Sequence, residues 1–307
     1  MNYKKANRGY LYMILSTIVF VILLSLWMIR TGGQPSITVN NGLSELVMFL
    51  PPFAMVLYYG EKLSVIIPLR RVKLSSFFMT LLYSVCLFPI ATLANAISML
   101  FVDNTVVELS DQILSLPMWQ MLISIGLIGP FMEEIVFRGI FLQSYQRTGR
   151  IIGSIILSSV LFGLMHMNFN QFAYGTVIGI MFALLVESTG SVLASFVAHA
   201  FFNSAEVITM YLSSDLLEEA EQYLPEMSEL TQQLISIGIY FVLAVIAVAI
   251  GLCILYKISE IEGRKDFFIN IPKSKKQGYK LITASLIIAV AIALAYMIGI
   301  EFLSSLV

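Results

Sequence analysis

The sequence predicts an all-α fold, a polytopic transmembrane helical bundle of about eight to nine spans. Three observations lead there. Of 307 residues, 58% are hydrophobic and only 12% are charged, about half the charged share of an ordinary soluble domain. Mean hydropathy is +0.88. The apolar residues also fall in long runs, many near the ~20 residues that a helix needs to cross a bilayer. The formal net charge is −1, so no basic field is present to draw nucleic acid, and nucleic acid is not an expected partner. Cys86 and Cys253 stand far apart in apolar runs, without the spacing of a metal or redox pair.

Nine candidate spans cover residues 9–29, 46–60, 76–102, 118–146, 151–167, 171–187, 191–212, 233–256 and 281–303. The first follows Lys4, Lys5 and Arg8 and runs from Gly9 to Ile29. That is longer than the roughly 7–15 residues of a signal-peptide core, and no small-residue cleavage site follows, so the segment is expected to stay as a helix. The second contains Pro51–Pro52 and is expected to be weak, even re-entrant. The fifth and sixth are short and separated only by Asn168–Asn170. The chain divides into N-terminal helices over 1–117, a central set over 118–212, and an exterior acidic loop with C-terminal helices over 213–307.

Charge sets the orientation. With a cytoplasmic N-terminus, every one of the 18 Lys and Arg residues except Arg30 and Arg138 falls on the inner side. This is the positive-inside pattern. It predicts an odd number of spans, an exterior C-terminus and a multi-pass plasma-membrane location. Residues 257–280 then form an inner basic loop, and the acidic stretch Asp215–Glu229 forms an outer solvated loop.

The fourth span reads GPFMEEIVFRGIF and places Glu133, Glu134 and Arg138 in one apolar helix. Each such charge costs about 2.5–3.5 kcal/mol at a helix centre on insertion scales, so the groups must face the protein interior and pair. Glu134 and Arg138 are four residues apart and share a helix face. Glu133 is turned away by about 100° and has no basic partner at helical spacing. It is the freer carboxylate, placed as acid–base catalysis requires. The alternative is an ion-pair cluster that only locks helices together.

The chain has two histidines, His166 and His199, and both fall inside predicted spans. Either alone serves as well for an interhelical hydrogen bond. His199 shares its helix face with Asn203, and Phe162 stands one turn before His166. At 1.5 Å per residue, Glu134, His166, His199 and Asn203 lie about 20, 22, 12 and 18 Å from the inner ends of their spans. With helix tilt, all four can meet in one buried chamber. Pro130, just before the acidic pair, is expected to kink that helix. In the sixth span Gly175, Gly179 and Ala183 form a small-residue face for close helix packing.

The ordered set EEIVFRG (133–139), FGLMH (162–166) and HAFFN (199–203) resembles the CAAX-protease and bacteriocin-processing family of intramembrane proteases, also called the Abi or CPBP family. Its motifs EExxxR, FxxxH and HxxxN are all present, in order, on successive helices. The resemblance covers about residues 118–212. It implies a multi-pass, bacterial membrane endopeptidase whose partners are the lipid bilayer and a membrane-embedded or membrane-anchored peptide or protein. It implies that Glu133 is the base that activates water, assisted by His166. It further implies that His199 and Asn203 stabilise the oxyanion, with Glu134, Arg138 and Phe162 supporting. On cofactors it leaves two readings: a divalent metal such as zinc, held by Glu133, His166 and His199, or a metal-free glutamate mechanism. No HExxH pattern is present to favour the first.

Two other functions compete. A non-enzymatic scaffold, regulatory or bacteriocin-immunity protein would keep these residues for packing and use the flanking helices and acidic loop to bind a partner. A proton-coupled transporter would also need intramembrane Glu and His, but no inverted repeat is evident.

Overall fold

The computed structural model describes residues 1–104, 107, 109–221, 228–273 and 280–304. Among the described residues all regular structure is helical. Nine segments traverse the bundle. They are α1 (Tyr3–Thr31), α2 (Ile37–Tyr58), α3 (Leu74–Ser98, interrupted at Cys86), α4 (built in pieces from Met118 to Gln146), α5 (Ile151–Met165), α6 (Phe169–Thr189), α7 (Val192–Glu221), α8 (Glu229–Ile261) and α9 (Ala284–Ser304). Seven of them are long and apolar enough to cross a bilayer, and the chain is a multi-pass membrane protein. The other two are α5, which is shorter, and α4, which is broken.

The element boundaries follow local chemistry. Asn2, Ser36, Asn168 and Ser228 cap the starts of α1, α2, α6 and α8 through side-chain oxygens, satisfying amides that a helix start leaves open. Gly32 and Gly190 end α1 and α6 in the left-handed conformation that glycine adopts freely. Apolar side chains such as Val19, Leu23, Ile239, Val245 and Ile287 remain exposed along α1, α8 and α9, as expected of helices that face lipid.

The interior has two apolar cores. One joins α1, α2, the later part of α4, α5 and α9, through residues such as Tyr10, Phe137, Phe141 and Phe162. The other joins α3, α6, α7 and α8, through residues such as Tyr83, Phe182 and Phe202. The charged residues of α4 lie on the seam between them, with Arg138 set between Phe162 of the first core and Phe182 of the second.

The α5–α6 hairpin is held by missing side chains. A Cβ on Gly163 would stand 2.7 Å from the Phe172 carbonyl oxygen, and one on Gly179 would stand 3.0 Å from the Ser159 Cβ. The small-residue face of α6 therefore packs on α5. Gly163→Ala forces backbone apart and is expected to lower stability by about 1–3 kcal/mol, read as a lower midpoint in detergent unfolding.

The structure corrects four sequence expectations. The second span is one continuous helix that begins nine residues earlier than expected, with both Pro51 and Pro52 inside it. The fourth span is not a uniform α-helix: Leu122–Ile128 and Ile135–Phe141 are π-helical and flank a single α-helical piece, Gly129–Glu134. Pro130 sits where the first π segment gives way, a position where its missing N–H would break an α ladder. The acidic stretch is also not all loop. Helix α7 continues to Glu221, α8 starts at Glu229, and only 222–227 lie outside the described residues. The inner basic stretch is likewise partly helical, through Ile261 and again over Lys265–Asn270, while 274–279 lie outside the described residues.

Candidate active site

Glu133 and Glu134 occupy the end of the α-helical piece between the two π segments, and both are buried. Arg138 lies in the second π segment and is also buried. Its Nη1 stands 3.0 Å from Glu134 Oε1, and its Nη2 donates to the Gly179 carbonyl at 3.3 Å. The guanidinium carbon lies 4.2 Å from the Phe162 ring centre and 5.2 Å from that of Phe182. Two aromatic faces and a carboxylate thus replace the water this cation has lost.

His199, from α7, joins the two carboxylates. Its Nδ1 is 3.0 Å from Glu134 Oε1 and its Nε2 is 3.6 Å from Glu133 Oε2. Because Glu134 is ion-paired with Arg138, it accepts the hydrogen on Nδ1. That fixes the ring's orientation and aims Nε2 at Glu133. The Phe182 ring lies against the imidazole at a tilt of 31°, with centres 4.6 Å apart, and Phe162 meets it edge to face.

The other predicted residues are placed less directly. His166 is the C-cap of α5, and its ring lies 5.4 Å from Phe162, edge to face. It faces Gly175 of α6, where a Cβ would stand 3.4 Å from the imidazole Cδ2. The turn that presents it is tight. Met167 adopts φ 58°, and Asn168 closes the turn by donating to the His166 carbonyl at 3.1 Å. A non-glycine residue in this conformation persists only where its surroundings enforce it. Asn203 shares the His199 face, and its amide donates to the Ile125 carbonyl at 3.1 Å, in the first π segment. His199, rather than His166, is therefore the histidine in contact with Glu133. Glu133, His166 and His199 do not converge as three ligands, and among the described residues no set of three His, Cys, Asp or Glu side chains is arranged to hold a metal. This donor geometry does not fit a metal centre.

Residues 115–205 match the sequence profile described as type II CAAX prenyl endopeptidase Rce1-like. This segment is similar to that family. The Rce1-like segment contains every residue described above. The chain is also 33% identical, over 129 residues, to a protein of Bacillus subtilis (strain 168) named "Putative membrane peptidase YdiL". That alignment spans 42% of this chain and 48% of the relative, about half of its length. No solved structure matches the chain.

Beside the Rce1-like residues, the structure brings in a group the sequence reading passed over. Glu45 of α2 packs at Gly129, one turn before Glu133, and the two carboxyls interact. It escaped notice because the second span was drawn from residue 46. An acid inside the apolar run 43–57 is the same signal that singled out Glu133. Tyr174 of α6 stands in the same region, with its hydroxyl beside Gln171.

Proposed function

We propose that this protein is an intramembrane endopeptidase that hydrolyses a peptide bond of a membrane-embedded or membrane-anchored polypeptide. The observation that carries the reading is the contact of His199 with both Glu133 and Glu134, inside a segment similar to the Rce1-like family. Glu133 takes a proton from water as that water attacks the scissile carbonyl. His199, held at Nδ1 by Glu134, carries the proton at Nε2 that faces the developing oxyanion. Asn203 uses one amide hydrogen on Ile125 and keeps the other for the same oxyanion. His166 lines the chamber beside Phe162 and orients the water. The surroundings are buried and largely apolar, so these charges act with little screening.

The substrate class follows from the setting: a chain that reaches the seam from within the bilayer or from a lipid anchor at its surface. A prenylated C-terminal peptide is one member of that class. The protein then sits in the plasma membrane of a bacterium with its N-terminus cytoplasmic, the orientation that the distribution of basic residues supports.

The test compares membranes from cells lacking the protein, cells carrying the wild type and cells carrying Glu133→Gln at matched abundance. Membrane-protein termini are mapped by mass spectrometry. New termini present only with the wild type are expected. Identical termini in all three, with a cellular phenotype still rescued by Glu133→Gln, would favour the scaffold reading instead.

A further inference from the structure

Glu45 lies outside the Rce1-like segment, on a helix for which no role has been assigned. The Tyr58 end of α2 and the Gln146 end of α4 lie at the same face of the bundle, where the Met1 amine and Arg147 both pair with Glu61. Measured from Tyr58 and Gln146, Glu45 and Glu133 each lie about 20 Å along their helices, at equal depth. Glu45 packs on the face of α4 at Gly129, one turn before Glu133, which brings the two carboxyls together. Its Oε2 is sealed from solvent and has no hydrogen-bond partner. Its Oε1 lies 3.4 Å from where a Cβ on Gly129 would stand, so the glycine that opens the acidic helix makes the room this side chain occupies.

Two carboxyls in contact, away from water, cannot both carry charge, so such a pair holds one proton between its members. Glu133 has His199 Nε2 at 3.6 Å and the Arg138 guanidinium nearby to favour a negative charge. Among the described residues Glu45 forms no ion pair, and its orphan oxygen is one that a proton would satisfy.

We propose that Glu45 is the general acid of this site, sharing a proton with Glu133 and delivering it to the amine that leaves. This rests on the peptidase reading above. The steps balance. Water loses a proton to the Glu133 carboxylate, and its oxygen bonds to the scissile carbon. The tetrahedral intermediate then expels the amine as the C–N bond breaks, and the Glu45 carboxyl gives its proton to that nitrogen. The proton now on Glu133 is again shared with the Glu45 carboxylate, which restores the starting pair. The net reaction is peptide plus water to acid plus amine.

The first arm of the test needs no substrate. The full-length chain in lipid nanodiscs is examined by infrared spectroscopy for the C=O stretch of a protonated carboxyl, identified by its shift in heavy water. The band is expected in the wild type and expected to be lost in Glu45→Gln, and its persistence unchanged in Glu45→Gln would overturn the shared proton. The second arm uses the bond located by terminus mapping, synthesised as a membrane-anchored peptide and as the ester analogue of that bond. An ester leaving group departs without prior protonation, whereas an amine does not. Glu45→Gln is therefore expected to slow amide hydrolysis about 100-fold or more while largely sparing the ester, and Glu133→Gln should slow both. Glu45→Asp, which keeps a carboxyl, should recover part of the amide rate and controls for misfolding. Equal loss on both substrates, or an amide-selective loss in Tyr174→Phe but not in Glu45→Gln, overturns the proposal. If the wild type cleaves neither while the band is present, the peptidase reading falls and takes the acid role with it, leaving only the carboxyl pair.

Discussion

Replacing Arg138 with methionine is expected to destabilise the bundle by about 3–5 kcal/mol, because it strands the Glu134 charge in the interior without its partner. The arginine is 1% exposed and the glutamate 0%, so neither can recruit water. Methionine matches much of the arginine's length and leaves little void, so the loss reads the charge rather than a cavity. Arg138→Lys is expected to fare only partly better, since an ammonium lacks the planar face that lies between Phe162 and Phe182. Adding Glu134→Gln to Arg138→Met should recover a large part of the lost stability, since the two side chains act as a unit. Unfolding midpoints of the four proteins in mixed micelles measure this. Equal stability of Arg138→Met and the wild type would mean that the pair does not hold the seam.

The second large effect belongs to His199. His199→Gln keeps polarity and approximate size but cannot bridge Glu134 and Glu133 or carry a proton to the oxyanion. Turnover is expected to fall by about 100-fold or more, with KM changed far less, because the contact matters most as charge develops. Glu134→Gln should lower turnover as well by releasing the imidazole from its fixed orientation. A KM effect with turnover intact would place His199 in substrate binding instead.

The parts of this site that the sequence revealed are those set by helical periodicity and by the cost of charge in an apolar run. The Glu134–Arg138 pair follows from four-residue spacing, and Phe162 beside His166 follows in the same way. The close α5–α6 contact was legible from Gly175 and Gly179. The interrupted geometry of α4 was not, because the same apolar residues satisfy an α or a π ladder and only packing selects between them. Which histidine touches Glu133 was also out of reach, since helix spacing says nothing about neighbours on other helices. His199 arrives from α7 across the seam, while the turn at Met167 holds His166 beside Gly175. Glu45 was missed for a different reason: Pro51 and Pro52 suggested a short or broken span, yet α2 runs unbroken through both and begins at Ile37.

The most direct test of the central claim uses wild-type and Glu133→Gln chains purified at full length into nanodiscs. Each is incubated in oxygen-18 water with the membrane-anchored peptide found by terminus mapping. The account predicts that the wild type releases two fragments, with solvent oxygen in the new carboxyl terminus, and that Glu133→Gln releases none above background. Cleavage by Glu133→Gln at the wild-type rate, or an inert wild type on a peptide that whole membranes process, would contradict it.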